Sequence, residues 1–417
     1  MRRAAPRAVS ALLLAAALAG CASIVRMPPP PAAAVTSIEV LGVPEARFWA
    51  DGDPAPLTAY LERVLRRQTA ALAPGPGGRL PPAHFLALSG GADDGAFGAG
   101  VLTGWTESGT RPSFDLVTGI SAGALIAPFA FLGAAYDDRL RDLFTQITPD
   151  DVVRRGRIAF ALLFSEAIAD TSPLAQLINR HADAAMLQAI AAEHRRGRLL
   201  LIGTVNLDIR RPVVWNIGAI AASGHPDALD LFRRILLASA SIPGAFPPVL
   251  LDVESGGQRF QEMHVDGGAA MQVFLYPPAL GAAGALRRAG IVRERTAWVI
   301  RNGRVDVTKA EAPRGLISIA TRSAQTLLHF AGIADIDRIY LTTQRDGVAF
   351  RIQSIGRDFD AARVGFFEPG YMRALFAHGE ARGRDPASWL PAPPPVGLIN
   401  ASSAVPAPAG TQGTTMP

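Results

Sequence analysis

Ser121 lies in Gly119-Ile120-Ser121-Ala122-Gly123, between the apolar run Phe114–Thr118 and a helix-compatible run from Ala124 onward. Strand, tight turn and helix in that order is the setting in which a G-x-S-x-G serine projects its hydroxyl. Gly119 and Gly123 supply the small volume and backbone freedom that such a turn needs. A hydroxyl at a helix N-terminus faces free N–H groups and the positive end of the macrodipole, and both favour developing negative charge. Taken alone, the pattern fits a glycine-rich structural turn as well as a nucleophile. A nucleophilic serine also needs a base for its proton and donors fixed in advance for an oxyanion.

Two other stretches offer these. The apolar run Phe260–Val265 ends in Asp266-Gly267-Gly268, which reads either as an acidic turn or as a carboxylate able to meet a serine hydroxyl. The run His84–Leu88 leads into Ser89-Gly90-Gly91-Ala92-Asp93-Asp94-Gly95 and then a helix, so a glycine loop joins a strand to a helix N-terminus. That arrangement cradles anions. No dinucleotide fingerprint is in register there, and no Gly-Lys-Ser/Thr follows as in a phosphate-binding loop. Asp93 and Asp94 would also repel phosphate. An oxyanion hole, which needs donors and no cation, and a structural turn are the readings that survive. Histidine leaves a further alternative open. His264 precedes Asp266 by two residues and would share its strand face, while His329 and His378 follow in the order Ser, Asp, His.

The elements that must position these groups alternate. Strands are expected at His84–Leu88, Phe114–Thr118, Leu199–Asn206, Pro212–Ile217, Phe260–Val265 and Ala297–Asn302. Helices are expected at Leu57–Arg67, Arg139–Ile147, Arg157–Ala169, Leu174–Arg195, Ala228–Leu237, Ile317–Ala331 and Pro369–Arg382. Arg338–Thr343 and Val348–Ile352 read as a hairpin about Arg345-Asp346-Gly347. Alternating strands and helices imply a largely parallel sheet with helices on both faces.

With Ala238-Ser239-Ala240-Ser241-Ile242-Pro243-Gly244-Ala245-Phe246-Pro247-Pro248 added, the glycine loop, the G-x-S-x-G turn and Asp-Gly-Gly resemble the patatin-like phospholipase family over roughly residues 84–280. The resemblance implies an α/β three-layer sandwich with a mainly parallel central sheet flanked by helices. It implies a Ser-Asp dyad, with Ser121 as nucleophile and Asp266 as general base. Gly90, Gly91 and Ala92 would present the oxyanion donors. The implied chemistry is hydrolysis of phospholipid or lysophospholipid esters through an acyl-enzyme, with no cofactor and no metal. The alternatives are an esterase or thioesterase acting on soluble acyl esters, and a weakly catalytic or non-catalytic envelope protein that binds acyl chains. The family's loop reads Gly-Gly-Gly-x-Arg-Gly, whereas here Ala92 replaces the third glycine and Asp94 the arginine. A negative φ at Ala92 would keep its N–H in place, and the two acids would cap the helix that follows.

Bulk properties set the surroundings. Nearly half of the 417 residues are hydrophobic (49%), enough for a large core. The net charge of +5 comes from scattered arginines rather than a basic stripe, which argues against a nucleic-acid partner. Residues 1–20 have a basic start, an apolar stretch and a small-residue end, as in a signal peptide. Leu18-Ala19-Gly20-Cys21 resembles the bacterial lipobox, which implies lipidation at Cys21 and an anchor in the cell envelope, with the outer membrane's periplasmic face favoured by Ala22 and Ser23. The expected organisation is a signal peptide (1–20), a lipidated Pro-rich tether (21–35), an N-terminal helical elaboration (36–78), a hydrolase domain (79–385, core motifs 84–280) and a disordered tail (386–417).

Overall fold

A computed structural model describes residues 26–72, 80–152, 171–278, 293–309 and 314–400. The signal segment, Cys21 and the helix expected at 157–169 lie outside these residues.

The strands are β1 (Arg47–Trp49), β2 (Ala83–Leu88), β3 (Leu116–Gly119), β4 (Leu199–Asn206), β5 (Arg211–Asn216), β6 (Val249–Ser255), β7 (Gln258–Asp266), β8 (Arg295–Arg304), β9 (Val307–Lys309), β10 (Ala349–Ile355) and β11 (Leu398–Asn400). The longer helices are α1 (Ala55–Ala71), α2 (Gly95–Glu107), α3 (Ala122–Leu132), α4 (Asp137–Thr145), α5 (Ser172–His181), α6 (Ala184–Arg195), α7 (Ala228–Ser239), α8 (Leu316–Asp346) and α9 (Pro369–Arg384). The main sheet runs β1-β5-β4-β3-β2-β8-β10, and the stretch from β4 to β10 is parallel throughout. β5 and β1 extend it antiparallel, and β9 pairs with β11 in a separate small sheet. The fold is therefore α/β, with a mostly parallel sheet flanked by helices. Every residue of β4 is buried, as a central strand covered on both faces must be.

β7 does what the sequence alone did not indicate. It forms a hairpin with β6 through Gly256 and Gly257, both at positive φ, and then pairs antiparallel with the far end of β4. β3 pairs with β4 as far as Gly119 opposite Ile202. β7 arrives from the opposite direction and ends at Asp266 opposite Thr204. The two strands thus meet end to end beside β4, and their last residues face each other across the gap.

Several expectations need correction. Arg338–Thr343 is no strand, because α8 runs unbroken from Leu316 to Asp346, with Ile336 and Ile339 buried and Leu341 exposed. Gly347, at φ 65°, ends the helix in the left-handed region, and β10 follows parallel to β8 instead of closing a hairpin. The expected helix Leu174–Arg195 is two helices, divided where Asp183 caps α6 through Met186 N–H. The expected disordered tail (386–417) is corrected over its described part, where Trp389 is buried against Trp105 and Trp298, with ring centroids 4.6 and 4.9 Å away. α9 lies against α2 at backbone distance, since a Cβ on Gly104 would fall 2.0 Å from the Glu380 carbonyl oxygen and one on Gly383 2.1 Å from that of Val101.

Candidate active site

Ser121 sits between β3 and α3 with φ 55° and ψ −126°, a conformation few side-chain-bearing residues adopt. The flanking glycines allow it. A Cβ on Gly119 would lie 2.4 Å from the Gly123 carbonyl oxygen, and one on Gly123 2.4 Å from that of Leu88. The turn is therefore folded on itself and pressed against the end of β2. A brace comes from the Ala238–Pro248 stretch, where the Ser239 hydroxyl donates to the Gly203 carbonyl (2.7 Å) and accepts the Ser121 N–H (3.0 Å). Two residues on, the Ser241 carbonyl accepts the Asp266 N–H at 2.9 Å. One short segment thus fixes both strand ends.

Asp266 and Ser121 are both buried, and the Ser121 hydroxyl lies close enough to the Asp266 carboxylate to stabilise its charge. The other carboxylate contact is the Gly268 N–H on Oδ1 at 2.7 Å. Gly267 packs against the Gly203 carbonyl too closely for a side chain. Burial pushes the Asp266 carboxyl up to about 7, against the opposing pull of the Ser121 hydroxyl and the Gly268 N–H. A carboxyl poised there can accept a proton at neutral pH.

No histidine among the described residues hydrogen-bonds to either group, so the triad alternative is not met. His264 is fully buried and engaged elsewhere, Nδ1 with Thr204 Oγ1 (3.0 Å) and Nε2 with Glu262 (3.1 Å). His378 packs between Phe97 and Phe359. His329 lies on α8.

The glycine loop faces Ser121. A Cβ on Gly90 would lie 3.1 Å from Ser121 Cβ and 3.4 Å from Gln272 Oε1. The loop rests on the end of β8: the Ser89 N–H donates to the Ile300 carbonyl (3.1 Å), the Asn302 N–H and side-chain amide donate to the Ser89 hydroxyl and carbonyl (2.8 and 2.7 Å), and Asn302 Oδ1 accepts the Gly98 N–H at 3.0 Å. The expected donors divide. Gly90 N–H is already given to the Gln272 carbonyl at 3.0 Å, so it is not available to an oxyanion. The Gly91 and Ala92 N–H groups have no acceptor among the described residues. Ala92 stands at φ 51°, not the negative φ expected, so the replaced glycine has left its left-handed backbone behind.

Asp93 and Asp94 do not cap α2, which has no side-chain cap bond. They hold the segment leading into α9. Asp93, fully buried, pairs with Arg363 and accepts the Phe367 N–H (3.0 Å), and Asp94 accepts the Tyr371 hydroxyl (2.7 Å). Burial raises the Asp93 carboxyl to about 6, with Arg363 opposing. Arg363 also lies 3.7 Å from Asp94, so a cation does stand at this loop, delivered from 270 residues downstream. Ser239, Gln272, Asn302 and Arg363 were given no role from sequence. Only Ser239 carried a signal, its place in the Ala238–Pro248 motif.

Residues 86–278 match the family model of patatin-like phospholipases. The patatin-like segment holds the glycine loop, Ser121 and Asp266, and it stops before β8, on which the loop rests. No curated protein matches the chain. Among solved structures, VipD from Legionella pneumophila is similar at a TM-score of 0.34 and 10% identity, over 76% of this chain and 70% of VipD. A broad depression of about 1010 Å³ lined by Tyr60, Arg63, Arg67, His194 and His225 contains none of these site residues.

Proposed function

We propose that this protein is a serine lipid acyl hydrolase of the phospholipase A or lysophospholipase type. The observation that carries the reading is the buried Ser121–Asp266 pair beside two unclaimed N–H groups. Asp266 takes the proton as Ser121 Oγ attacks the ester carbonyl. The Gly91 and Ala92 N–H groups hold the oxyanion, a contribution of about 3–4 kcal/mol per donor in comparable sites. Asp266 returns the proton to the departing alcohol, and water releases the acyl group by the same steps. The patatin-like match supports the reaction class. A lipid rather than a soluble ester is favoured by apolar side chains left exposed on two elements that pack against the loop's supports. α8, which packs on Arg301 next to Asn302, exposes Leu316, Ile319, Leu327 and Phe330, and the segment held by Asp93 exposes Val364 and Phe366.

Fluorophosphonate labelling tests the reading. Wild type should label, while Ser121→Ala should not and Asp266→Asn should label much more slowly. Equal labelling of wild type and Ser121→Ala would overturn the nucleophile assignment. The lipobox-like Leu18–Cys21 supports anchoring of the chain in the cell envelope, close to such a substrate. Cys21→Ser is then expected to move the protein out of the membrane fraction.

A further inference from the structure

Arg301 is a buried cation beside the site that the proposed chemistry leaves unused. Its neighbours on β8 support the glycine loop: Ile300 accepts the Ser89 N–H, and a Cβ on Gly91 would fall 2.1 Å from the Asn302 carbonyl oxygen. Strand alternation sends the Asn302 side chain towards α2 and the Arg301 side chain to the other face, under α8. There the guanidinium lies so close to Gly332 that a Cβ on that residue would meet Cζ, Nη1 and Nη2 at 2.8 Å.

Arg301 is only 7% exposed, yet its Nη1 has no hydrogen-bond partner and no carboxylate pairs with it among the described residues. The acids that influence it, Asp94 and Asp335, each have another cation at hand, Arg363 at 3.7 Å and Arg338, so their repulsion of an anion at this loop is offset while the Arg301 guanidinium is left without a carboxylate of its own. Asp94 holds Tyr371, and Asp335 holds the Gln272 and Val273 N–H groups (2.6 and 3.3 Å) and Arg338. One turn before Gly332, His329 Nε2 is also buried without a partner, and His329 feels the Arg301 charge. A buried cation left unpaired is costly unless an anion completes it. The site lies on the Ser121 side of the loop, because Asp335 holds the backbone of Gln272, whose side chain stands with Ser121 beside Gly90.

We propose that Arg301, with His329 beside it, is an anion subsite that takes the phosphate group of the lipid whose ester carbonyl lies on the Gly91 and Ala92 N–H groups. This rests on the acyl-hydrolase reading and adds the residue that would tell a phosphate-bearing lipid from a neutral glyceride. α8 lays Gly332 on the guanidinium and exposes Leu327 and Phe330 on its solvent side, so charge and apolar surface belong to one element, the pairing that a phosphate attached to an acyl chain needs.

Two measurements test it. In the first, thermal unfolding of the full chain carrying Ser121→Ala is followed with 1-oleoyl lysophosphatidic acid, 1-oleoylglycerol or inorganic phosphate. Lysophosphatidic acid should raise the melting temperature well above the effect of the glyceride, and Arg301→Gln should remove that difference. A saturable, Arg301-dependent shift with inorganic phosphate alone, equal to that of the lipid, would overturn the headgroup assignment in favour of free phosphate. In the second, the ratio of kcat/KM for a phospholipid to that for a neutral glyceride of the same acyl chain should fall about 10- to 100-fold in Arg301→Gln, with Arg301→Lys recovering part of it. Gly332→Ala, which keeps the charge but displaces it, should lower the same ratio and serves if Arg301→Gln does not fold. An unchanged ratio, or a fall in both rates together, makes Arg301 structural and overturns the subsite. If wild type cleaves neither lipid, the hydrolase reading fails, and the binding measurement still decides the subsite.

Discussion

Asp266→Asn separates what the carboxylate does for the reaction from what it costs the fold. Burial raises this carboxyl from 3.8 to about 7. Between those values the folded chain keeps a proton that the unfolded chain has lost, so this group's contribution to stability is present at low pH and is lost as pH rises through about 7. The whole shift is worth about 4 kcal/mol, of which about 2–3 kcal/mol falls between pH 5 and pH 8. Asparagine keeps an oxygen for the Gly268 N–H but cannot ionise. The stability of the variant relative to wild type should therefore grow by about 2–3 kcal/mol from pH 5 to pH 8. Urea unfolding at a series of pH values reads that difference directly, and the other raised acids, Asp93 among them, cancel in the comparison. Over the same range wild-type acylation should rise with pH as the carboxylate forms, while the variant stays slow throughout. A difference that is flat with pH, or that turns against the variant at pH 8, would refute the burial argument.

Ser239→Ala should leave the Ser121 N–H without its acceptor and loosen the turn, lowering kcat by about tenfold or more with little change in KM. Steady-state kinetics on one ester settles it. Arg363→Gln should strand the Asp93 carboxylate in the interior; because the arginine is about one-third exposed, the loss is about 1–3 kcal/mol rather than that of a fully buried pair. The loss should be largest above pH 7 and small near pH 5, where Asp93 takes up a proton, and denaturant unfolding at the two pH values checks it.

Ser121 and Asp266 were legible because the glycines that each requires are adjacent in sequence, and so the local conformation is written locally. The way the two meet was not. It depends on β7 pairing with β4 where β3 leaves off, a register set by contacts between segments about 60 residues apart. The same limit explains α8. Ile339-Tyr340-Leu341 is a short apolar run that fits either a strand or one face of a helix, and packing on β10 decides between them. The acids in the loop were misread for a related reason. Asp93 and Asp94 stand beside a helix start, the usual place for caps, but their partners come from residues 363–371 and leave no trace near position 93. Gly90 was counted as a donor because sequence shows that an N–H exists and not that Gln272 has already taken it.

The Asp93–Asp94 clamp also has a meaning in time. A chain emerging from the ribosome carries β2, the glycine loop and the Ser121 turn long before it carries Arg363, Phe367 and Tyr371. Until those residues arrive, two carboxylates destined for the interior have no cation, amide or hydroxyl to meet, and water holds them out. β8, the bed of the loop, and α9, which seats α2, come late as well. The loop is therefore completed by some of the last-made residues of the domain, and a chain cut short after Asp266 would hold both members of the dyad without the frame that shapes the ground between them.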